Sequence, residues 1–127
     1  MKRRILVVED DPDIVQIVRQ TLERAGYEVV LAYGGDDALR KVDRELPDLV
    51  VTDLAMPKMS GVALIKSLRE NERTAHLPIL AVTAHVWDEI AQAAGRVGCD
   101  AFLSKPFTTK QLLEAVEAQL SGPKPRP

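Results

Sequence analysis

Short apolar segments alternate with amphipathic helical patterns along nearly the whole chain. The first segment, residues 5–8, is too short for an ordinary helix and rich in β-branched residues, which favours a strand buried on both faces. Strands that alternate with helices predict an α/β fold, in which right-handed crossovers place helices on both faces of a parallel sheet. The five predicted strands are residues 5–8, 29–31, 49–52, 79–82 and 101–103.

Helical patterns follow each predicted strand. Asp11 and Pro12 are typical of the start of the first helix, and Gly26 of its end. Thr108 and Gln111 have the spacing of a capping box that opens the last helix. The apolar positions predicted to face the sheet are Ile14, Ile17, Val18 and Leu22; Leu39, Val42 and Leu46; Val62, Ile65 and Leu68; Ile90, Ala94 and Val97; and Leu112, Val116 and Leu120.

The length and charge of the chain limit its function. Its 127 residues suit one domain, predicted at 1–120, followed by a flexible Pro-rich tail at 121–127. A formal net charge of −2 argues against broad attraction to nucleic acid or to an anionic membrane. Cys99 is the single cysteine, which excludes an internal disulfide, and the sequence shows no signal peptide or long apolar segment. We therefore expect a soluble, cytoplasmic protein.

Polar residues follow four of the predicted strands. Ligands of an open parallel sheet bind beyond the carboxyl ends of its strands, so these residues are candidates for one common site. They are Glu9, Asp10 and Asp11 after the first strand, Asp53 after the third, Thr83 after the fourth, and Ser104 and Lys105 after the fifth.

This combination of side chains favours phosphoryl chemistry. Neighbouring carboxylates repel one another, and a hard cation with oxygen ligands, such as Mg²⁺, relieves that repulsion. An Asp beside such a cation can attack a phosphoryl group, while a Lys neutralises the charge on its oxygens and a Thr hydroxyl binds one of them. The alternative is that acids at strand ends only cap helices. That interpretation suits Asp11 alone, but it leaves Asp53 and Lys105 unexplained.

With these residues in view, the sequence resembles the receiver domain of response regulators, including the single-domain chemotaxis regulators, from Lys2 to Leu120. The resemblance implies a flavodoxin-like five-stranded parallel sheet in the order 2-1-3-4-5. The matching motifs are Glu9-Asp10-Asp11 after the apolar segment 5–8, Asp53-Leu54-Ala55-Met56-Pro57 with Gly61, Ala81-Val82-Thr83-Ala84, and Ser104-Lys105-Pro106-Phe107.

The same resemblance implies a role for each site residue, and a cis peptide bond between Lys105 and Pro106. The implied roles are metal binding for Glu9 and Asp10, metal binding and phosphoryl acceptance for Asp53, completion of the Mg²⁺ site by the backbone carbonyl of Ala55, phosphoryl sensing for Thr83, pairing with the phosphoryl group for Lys105, and the aromatic switch for Phe102.

The predicted function is a signalling switch, not an enzyme in the ordinary sense. Its phosphoryl donor would be a sensor histidine kinase or a histidine phosphotransfer protein. The responding surface would comprise the fourth helix, the fifth strand and the fifth helix, and would bind a downstream protein or a second copy in a phosphorylation-dependent dimer. No direct binding of nucleic acid or membrane is expected.

Two alternatives are kept. A Mg²⁺-dependent phosphohydrolase would need a water-activating base and a substrate pocket, and the sequence indicates neither. The chain could also be the receiver part of a longer DNA-binding response regulator, although it encodes no DNA-binding helix pair.

Three further residues near the predicted site motifs each have an interpretation of their own. Gly61 suits a tight turn that closes the loop after Asp53. The resemblance places His85 at a position that influences how fast the phosphoryl group is lost. For Trp87, exposure on an interaction surface and packing in the core are equally compatible with the sequence.

Overall fold

A computed structural model describes residues 2–56 and 58–121, and it confirms the predicted α/β fold. Five parallel strands form one sheet in the order β2-β1-β3-β4-β5. The elements are β1 (Arg4–Val8), α1 (Pro12–Arg24), β2 (Glu28–Ala32), α2 (Gly35–Arg44), β3 (Leu49–Asp53), α3 (Gly61–Glu70), β4 (Ile79–Thr83), α4 (Glu89–Arg96), β5 (Ala101–Ser104) and α5 (Thr109–Ser121).

The hydrophobic core has two layers, one on each face of the sheet. Successive side chains of a strand point to opposite faces, so Leu6 and Val8 of β1 pack in one layer and Ile5 and Val7 in the other. The central strands are buried on both sides, which explains their continuous apolar segments.

Four strands extend one residue further toward their carboxyl ends than their apolar segments predicted: β2 ends at Ala32, and the other three end in a polar residue. Asp53 ends β3, Thr83 ends β4 and Ser104 ends β5. Asp53 pairs with Val82, and Thr83 pairs with Ser104 across the β4–β5 ladder. The backbones of Asp53 and Thr83 are therefore held by the sheet itself and not by a loop.

The predicted helix starts are confirmed. Oδ1 of Asp11 accepts hydrogen bonds from the backbone of Asp13 at 2.9 Å and of Ile14 at 3.4 Å. The backbone N–H groups of Thr108 and Gln111 each donate to the other's side chain, at 2.9 and 3.0 Å, as a capping box requires.

Three of the apolar helix positions predicted to face the sheet are wrong. Ile17, Leu46 and Ile90 are exposed, and Leu46 lies beyond the end of α2. In α4 the buried positions are Ala91 and Ala94. Small side chains make little contribution to a hydrophobic pattern, although they let a helix approach the sheet closely, so the buried side of α4 is rotated from the predicted one.

Arg69 of α3 connects the amino ends of β4 and β5, at the end of these strands opposite their polar carboxyl ends. Its guanidinium donates to the carbonyl oxygens of Gly98 at 3.0 Å and Leu77 at 2.7 Å, and forms an ion pair with Asp100 at 2.9 Å. Asp100 in turn accepts a hydrogen bond from the backbone of Ile79, the first residue of β4, at 2.7 Å. No local pattern in the sequence predicted this linkage.

The end of the chain is described only in part. Helix α5 includes Ser121, which was predicted as the first residue of the tail, and residues 122–127 of the predicted tail lie outside the described residues. None of the helices in the described part of the chain combines the length and apolar character needed to span a bilayer.

Gly61 closes the loop that follows β3, as predicted. Its backbone N–H donates to the carbonyl oxygen of Leu54 at 3.0 Å. A Cβ atom at this position would lie 2.3 Å from the carbonyl oxygen of Asp53 and 2.7 Å from Cα of Leu54. Both contacts are with backbone, so a larger residue cannot be accommodated by a side-chain rotation.

We expect Gly61→Ala to lower the free energy of unfolding by about 1–3 kcal/mol, the usual cost of overpacking. The measurement is chemical denaturation followed by circular dichroism. Gly95→Ala in α4 is the matched control, because the nearest atom to its new Cβ is Cζ of Phe102 at 4.0 Å. Equal stabilities of the two variants would show that the contact at Gly61 is easily relieved.

Candidate functional site

An open cleft of about 730 Å³ lies at the carboxyl edge of the sheet, between the loops that follow β1, β3, β4 and β5. The structure brings most of the predicted site residues to this cleft. Its lining includes Glu9, Asp10, Asp11, Asp53, Ala55, Thr83 and Lys105.

Three carboxylates form an acidic cluster in the cleft, which consists of Glu9, Asp10 and Asp53. One oxygen of each lies within 4.8 Å of the others. Glu9 is 3% exposed and Asp53 is 7% exposed, whereas Asp10 lies at the surface. Two of the three negative charges are therefore largely removed from water.

Both carboxylate oxygens of Glu9 accept hydrogen bonds. Oε2 accepts from the backbone N–H groups of Asp10 and Asp11, each at 3.1 Å, and Oε1 accepts from Nζ of Lys105 at 3.2 Å. Burial nevertheless raises the pKa of Glu9, and the nearby charge of Asp53 adds to that effect. The hydrogen bonds from Asp11 and Lys105 only partly oppose this rise in pKa, so keeping Glu9 ionised in the folded protein costs free energy.

Lys105 is the cation of the site. Its Nζ lies 3.2 Å from Oε1 of Glu9 and 3.5 Å from Oδ1 of Asp53. Burial by itself would lower the pKa of Lys105, but the two carboxylates outweigh burial and raise the pKa overall. The ammonium group therefore remains charged and bridges the two buried acids.

Asp53 is fixed at both its backbone and its side chain. It is the last residue of β3, and its Oδ1 accepts a hydrogen bond from the backbone of Ala55 at 3.3 Å in addition to its contact with Lys105. The peptide bond between Lys105 and Pro106 is cis, as the sequence resemblance implied.

Thr83 lies in the cleft and Phe102 does not. Oγ1 of Thr83 accepts a hydrogen bond from the backbone of His85 at 3.2 Å. Phe102 is 38% exposed, and its ring lies beside Gly95 of α4. Ser104, the other strand-end residue, is exposed and lies outside the lining of the cleft. The two predicted switch residues thus lie on neighbouring strands but in different environments.

Sequence reasoning missed three residues that line the cleft: Pro12, Asp88 and Ile90. Asp88 is the N-cap of α4 and accepts a hydrogen bond from the backbone of Ala91 at 2.9 Å. An Asp before a helical pattern and after a strand was a signal that could have placed it here. The two interpretations of Trp87 are resolved in favour of the surface, because its side chain is 88% exposed.

The acidic cluster has the oxygen donors that Mg²⁺ prefers. Two oxygens bound directly to one Mg²⁺ at about 2.1 Å are at most about 4.2 Å apart. The carboxylate oxygens of the cluster lie within 4.8 Å of one another, which is close to that span, so a small contraction or one bridging water would allow all three carboxylates to hold a single ion.

Comparison with known proteins identifies the family. The family model "Response regulator receiver domain" matches residues 5–117. The alkaline phosphatase synthesis transcriptional regulatory protein PhoP of Bacillus subtilis (strain 168) is 38% identical over 121 residues, which are 94% of this chain and 49% of that protein. The chain thus spans about half the length of this relative.

Two solved structures have the same fold. The chemotaxis response regulator CheY4 of Vibrio cholerae is 34% identical, with a TM-score of 0.90 over 94% of this chain and 100% of that one. The receiver domain of the sensor histidine kinase PA1611 from Pseudomonas aeruginosa PAO1, with a magnesium ion coordinated in its active site cleft, is 26% identical, with a TM-score of 0.90 over 96% and 100%.

These matches do not favour the phosphohydrolase alternative, because receiver domains are signalling domains and not classical enzymes. The family model spans nearly all of the sheet and all the strand-end residues of the cleft. The chain therefore belongs to the receiver domain family of two-component response regulators.

Proposed function

We propose that Asp53 accepts a phosphoryl group from a phosphohistidine and thereby switches the binding surface of the protein. The donor is a sensor histidine kinase or a histidine phosphotransfer protein. The observation that carries this proposal is the convergence of the acidic cluster with Lys105 around the end of β3. Glu9 shares the burial and the contact with Lys105, but both of its carboxylate oxygens accept hydrogen bonds, whereas the described contacts of the Asp53 carboxylate are at Oδ1.

Mg²⁺ is the proposed cofactor, held by Asp10, Asp53 and the backbone carbonyl of Ala55. Both oxygens of Glu9 already accept hydrogen bonds, which favours contact between Glu9 and the ion through a water molecule. The magnesium ion in the cleft of the related PA1611 receiver domain supports this assignment. When bound, Mg²⁺ neutralises charge on the phosphoryl oxygens.

The proposed transfer is a direct displacement at phosphorus. A carboxylate oxygen of Asp53 forms the new P–O bond as the P–N bond of the phosphohistidine breaks, and the imidazole nitrogen keeps the electron pair. Lys105, which lies 3.5 Å from Oδ1 of Asp53, moves to a phosphoryl oxygen and offsets its charge. Water later attacks the phosphorus and breaks the P–O bond to Asp53, which releases phosphate and restores the carboxylate. The residues of this chain catalyse both the transfer and this hydrolysis.

Thr83 and Phe102 connect this chemistry to the surface. The Thr83 hydroxyl oxygen accepts a hydrogen bond from the backbone N–H of His85. The O–H group of Thr83 is still available as a donor, and it donates a hydrogen bond to a phosphoryl oxygen. Movement of Thr83 toward Asp53 makes room for the ring of Phe102 to turn inward. Phe has no hydroxyl to satisfy when buried, so the inward ring costs less than a buried Tyr would.

The surface that responds is formed by α4, β5 and α5, and it takes a downstream protein or a second copy of the chain in a phosphorylation-dependent dimer. Trp87, next to the start of α4, is an exposed apolar side chain that is well placed for such contacts. We propose that the protein carries out this signalling in the cytoplasm, without direct contact with nucleic acid or membrane.

The first prediction concerns the acceptor. Asp53→Asn should abolish uptake of a phosphoryl group from a small phosphodonor, because Glu9, the other acid of the cluster beside Lys105, already has both carboxylate oxygens engaged in hydrogen bonds. Intact mass after incubation with the donor and Mg²⁺ measures the uptake. Asp48→Asn, at an exposed acid before β3, is the control and should behave like the parent. Undiminished uptake by Asp53→Asn would refute the assignment.

A second prediction concerns the metal. Chelation should stop phosphoryl uptake, and Asp10→Asn should weaken Mg²⁺ binding measured by titration calorimetry. Because this substitution also relieves repulsion within the cluster, the variant should melt no lower than the parent in metal-free buffer. Unchanged Mg²⁺ affinity in Asp10→Asn would remove Asp10 from the site.

A third prediction concerns the route to the surface. Beryllofluoride with Mg²⁺, a phosphoryl mimic, should change amide hydrogen exchange across residues 83–110, in addition to the loops at Glu9 and Asp53. Thr83→Ala should retain the change in the two loops and lose most of the change in residues 83–110. If the parent protein responds only in the loops, Thr83 and Phe102 do not carry the signal.

A further inference from the structure

Strand β2 lies at the edge of the sheet, and within the described part of the chain it pairs with β1 alone. The backbone N–H of Glu28 and the carbonyl of Ala32 face β1, where they bond to Arg3 and Glu9 at 2.9 and 3.0 Å. Backbone groups alternate in direction along a strand, so those of Val29, Leu31 and Tyr33 face away from the sheet. Such an edge is a template on which another strand can pair.

Two side chains from α2 occupy part of this edge. Nζ of Lys41 donates a hydrogen bond to the carbonyl oxygen of Leu31, and Oδ2 of Asp37 accepts one from the backbone of Tyr33 at 3.2 Å. Asp37 and Lys41 also form an ion pair with each other at 3.1 Å, and Lys41 lies 5.7 Å from the centre of the Tyr33 ring. We call this pair of side chains the edge cap.

The charges of the edge cap are mutually supported. Burial by itself would raise the pKa of Asp37, but the hydrogen bonds from Lys41 and Tyr33 and the charges of Lys41 and Arg40 outweigh burial and lower it. An incoming strand would have to separate an ion pair whose members also bond to the backbone, Lys41 to Leu31 of β2 and Asp37 to Tyr33 just after it. It would have to do so without replacing the charge interaction.

Without the edge cap, the outer edge of β2 would suit a second copy of this chain. A groove of about 350 Å³ runs beside Val29, Val30 and Leu31, with Arg19 and Glu23 of α1 on one side and Lys41 on the other. These three aliphatic residues are only half-buried. Two copies of β2 placed antiparallel would satisfy each other's outward groups around a two-fold axis, because the same surface serves both partners.

We propose that the edge cap prevents a second copy of the chain from pairing with β2. This role is separate from phosphoryl transfer, because the edge cap includes no residue of the cleft. The edge cap blocks an interface that β2 would otherwise offer. The surface formed by α4, β5 and α5, at the opposite edge of the sheet, stays available for regulated contacts.

Lys41→Met tests the proposal, because Met is an unbranched side chain of nearly the same length that lacks the charge and the hydrogen-bond donor. In the absence of phosphodonor, the average mass in sedimentation equilibrium should rise with concentration toward that of a dimer, while the parent remains at its 14.0 kDa. Arg40→Met is the matched control. It adds the same side chain to the same helix, but Arg40 is exposed and contacts Asp37 only at 3.5 Å, with no hydrogen bond to β2 among the described residues.

Hydrogen exchange locates any association. The outward amides of Val29 and Leu31 should become more protected as the concentration of Lys41→Met rises, and they should not do so in Arg40→Met. Asp37→Ala, which releases the N–H of Tyr33, provides a second test if Lys41→Met folds poorly, as judged by circular dichroism. Monomers at every concentration in a folded variant, or association without protection of these two amides, would overturn the proposal.

Discussion

Two buried carboxylates, Glu9 and Asp53, share the single ammonium group of Lys105, and the arrangement of the cleft depends on that shared contact. Three carboxylates and one ammonium leave the cluster with a formal charge of −2. A divalent cation is the simplest ion that would bring this total to zero. Folding alone therefore leaves the site with uncompensated negative charge, which is consistent with the proposed binding of a cation and then of a phosphoryl group.

The parallel sheet offsets the free-energy cost of burying these charges. Glu9 directly follows β1, and Asp53 and Thr83 are the last residues of their strands, so the ladder fixes their backbones while the apolar core below them supplies stability. The two backbone N–H groups that bond to Glu9 come from the turn into α1. In β3, β4 and β5 the polar residues therefore lie at the carboxyl end of the strand and the apolar residues precede them.

The sequence predicted the strand order, the helix starts and most residues of the cleft because each depends on a local pattern or a matched motif. It did not predict the exposure of Ile17 and Ile90, since a hydrophobic pattern does not report how closely a helix approaches the sheet. The contacts of Arg69 and Lys41 were also missed. Both are long side chains that bond to backbone atoms distant in sequence, and nothing in the local sequence distinguishes them from solvated cations.

Arg69 also gives the sheet a mechanical asymmetry. It binds the segments that lead into β4 and β5, and Asp100 bonds to the first residue of β4, so the amino ends of these two strands are tied together and to α3. At their carboxyl ends, Thr83 and Ser104 pair through the backbone ladder, and no side chain among the described residues links the two strands there as Arg69 does. A displacement that begins at Thr83 is therefore resisted more strongly at the amino end of the strand pair than at the carboxyl end, so its amplitude should fall along the strands and stay largest at the surface beside the cleft.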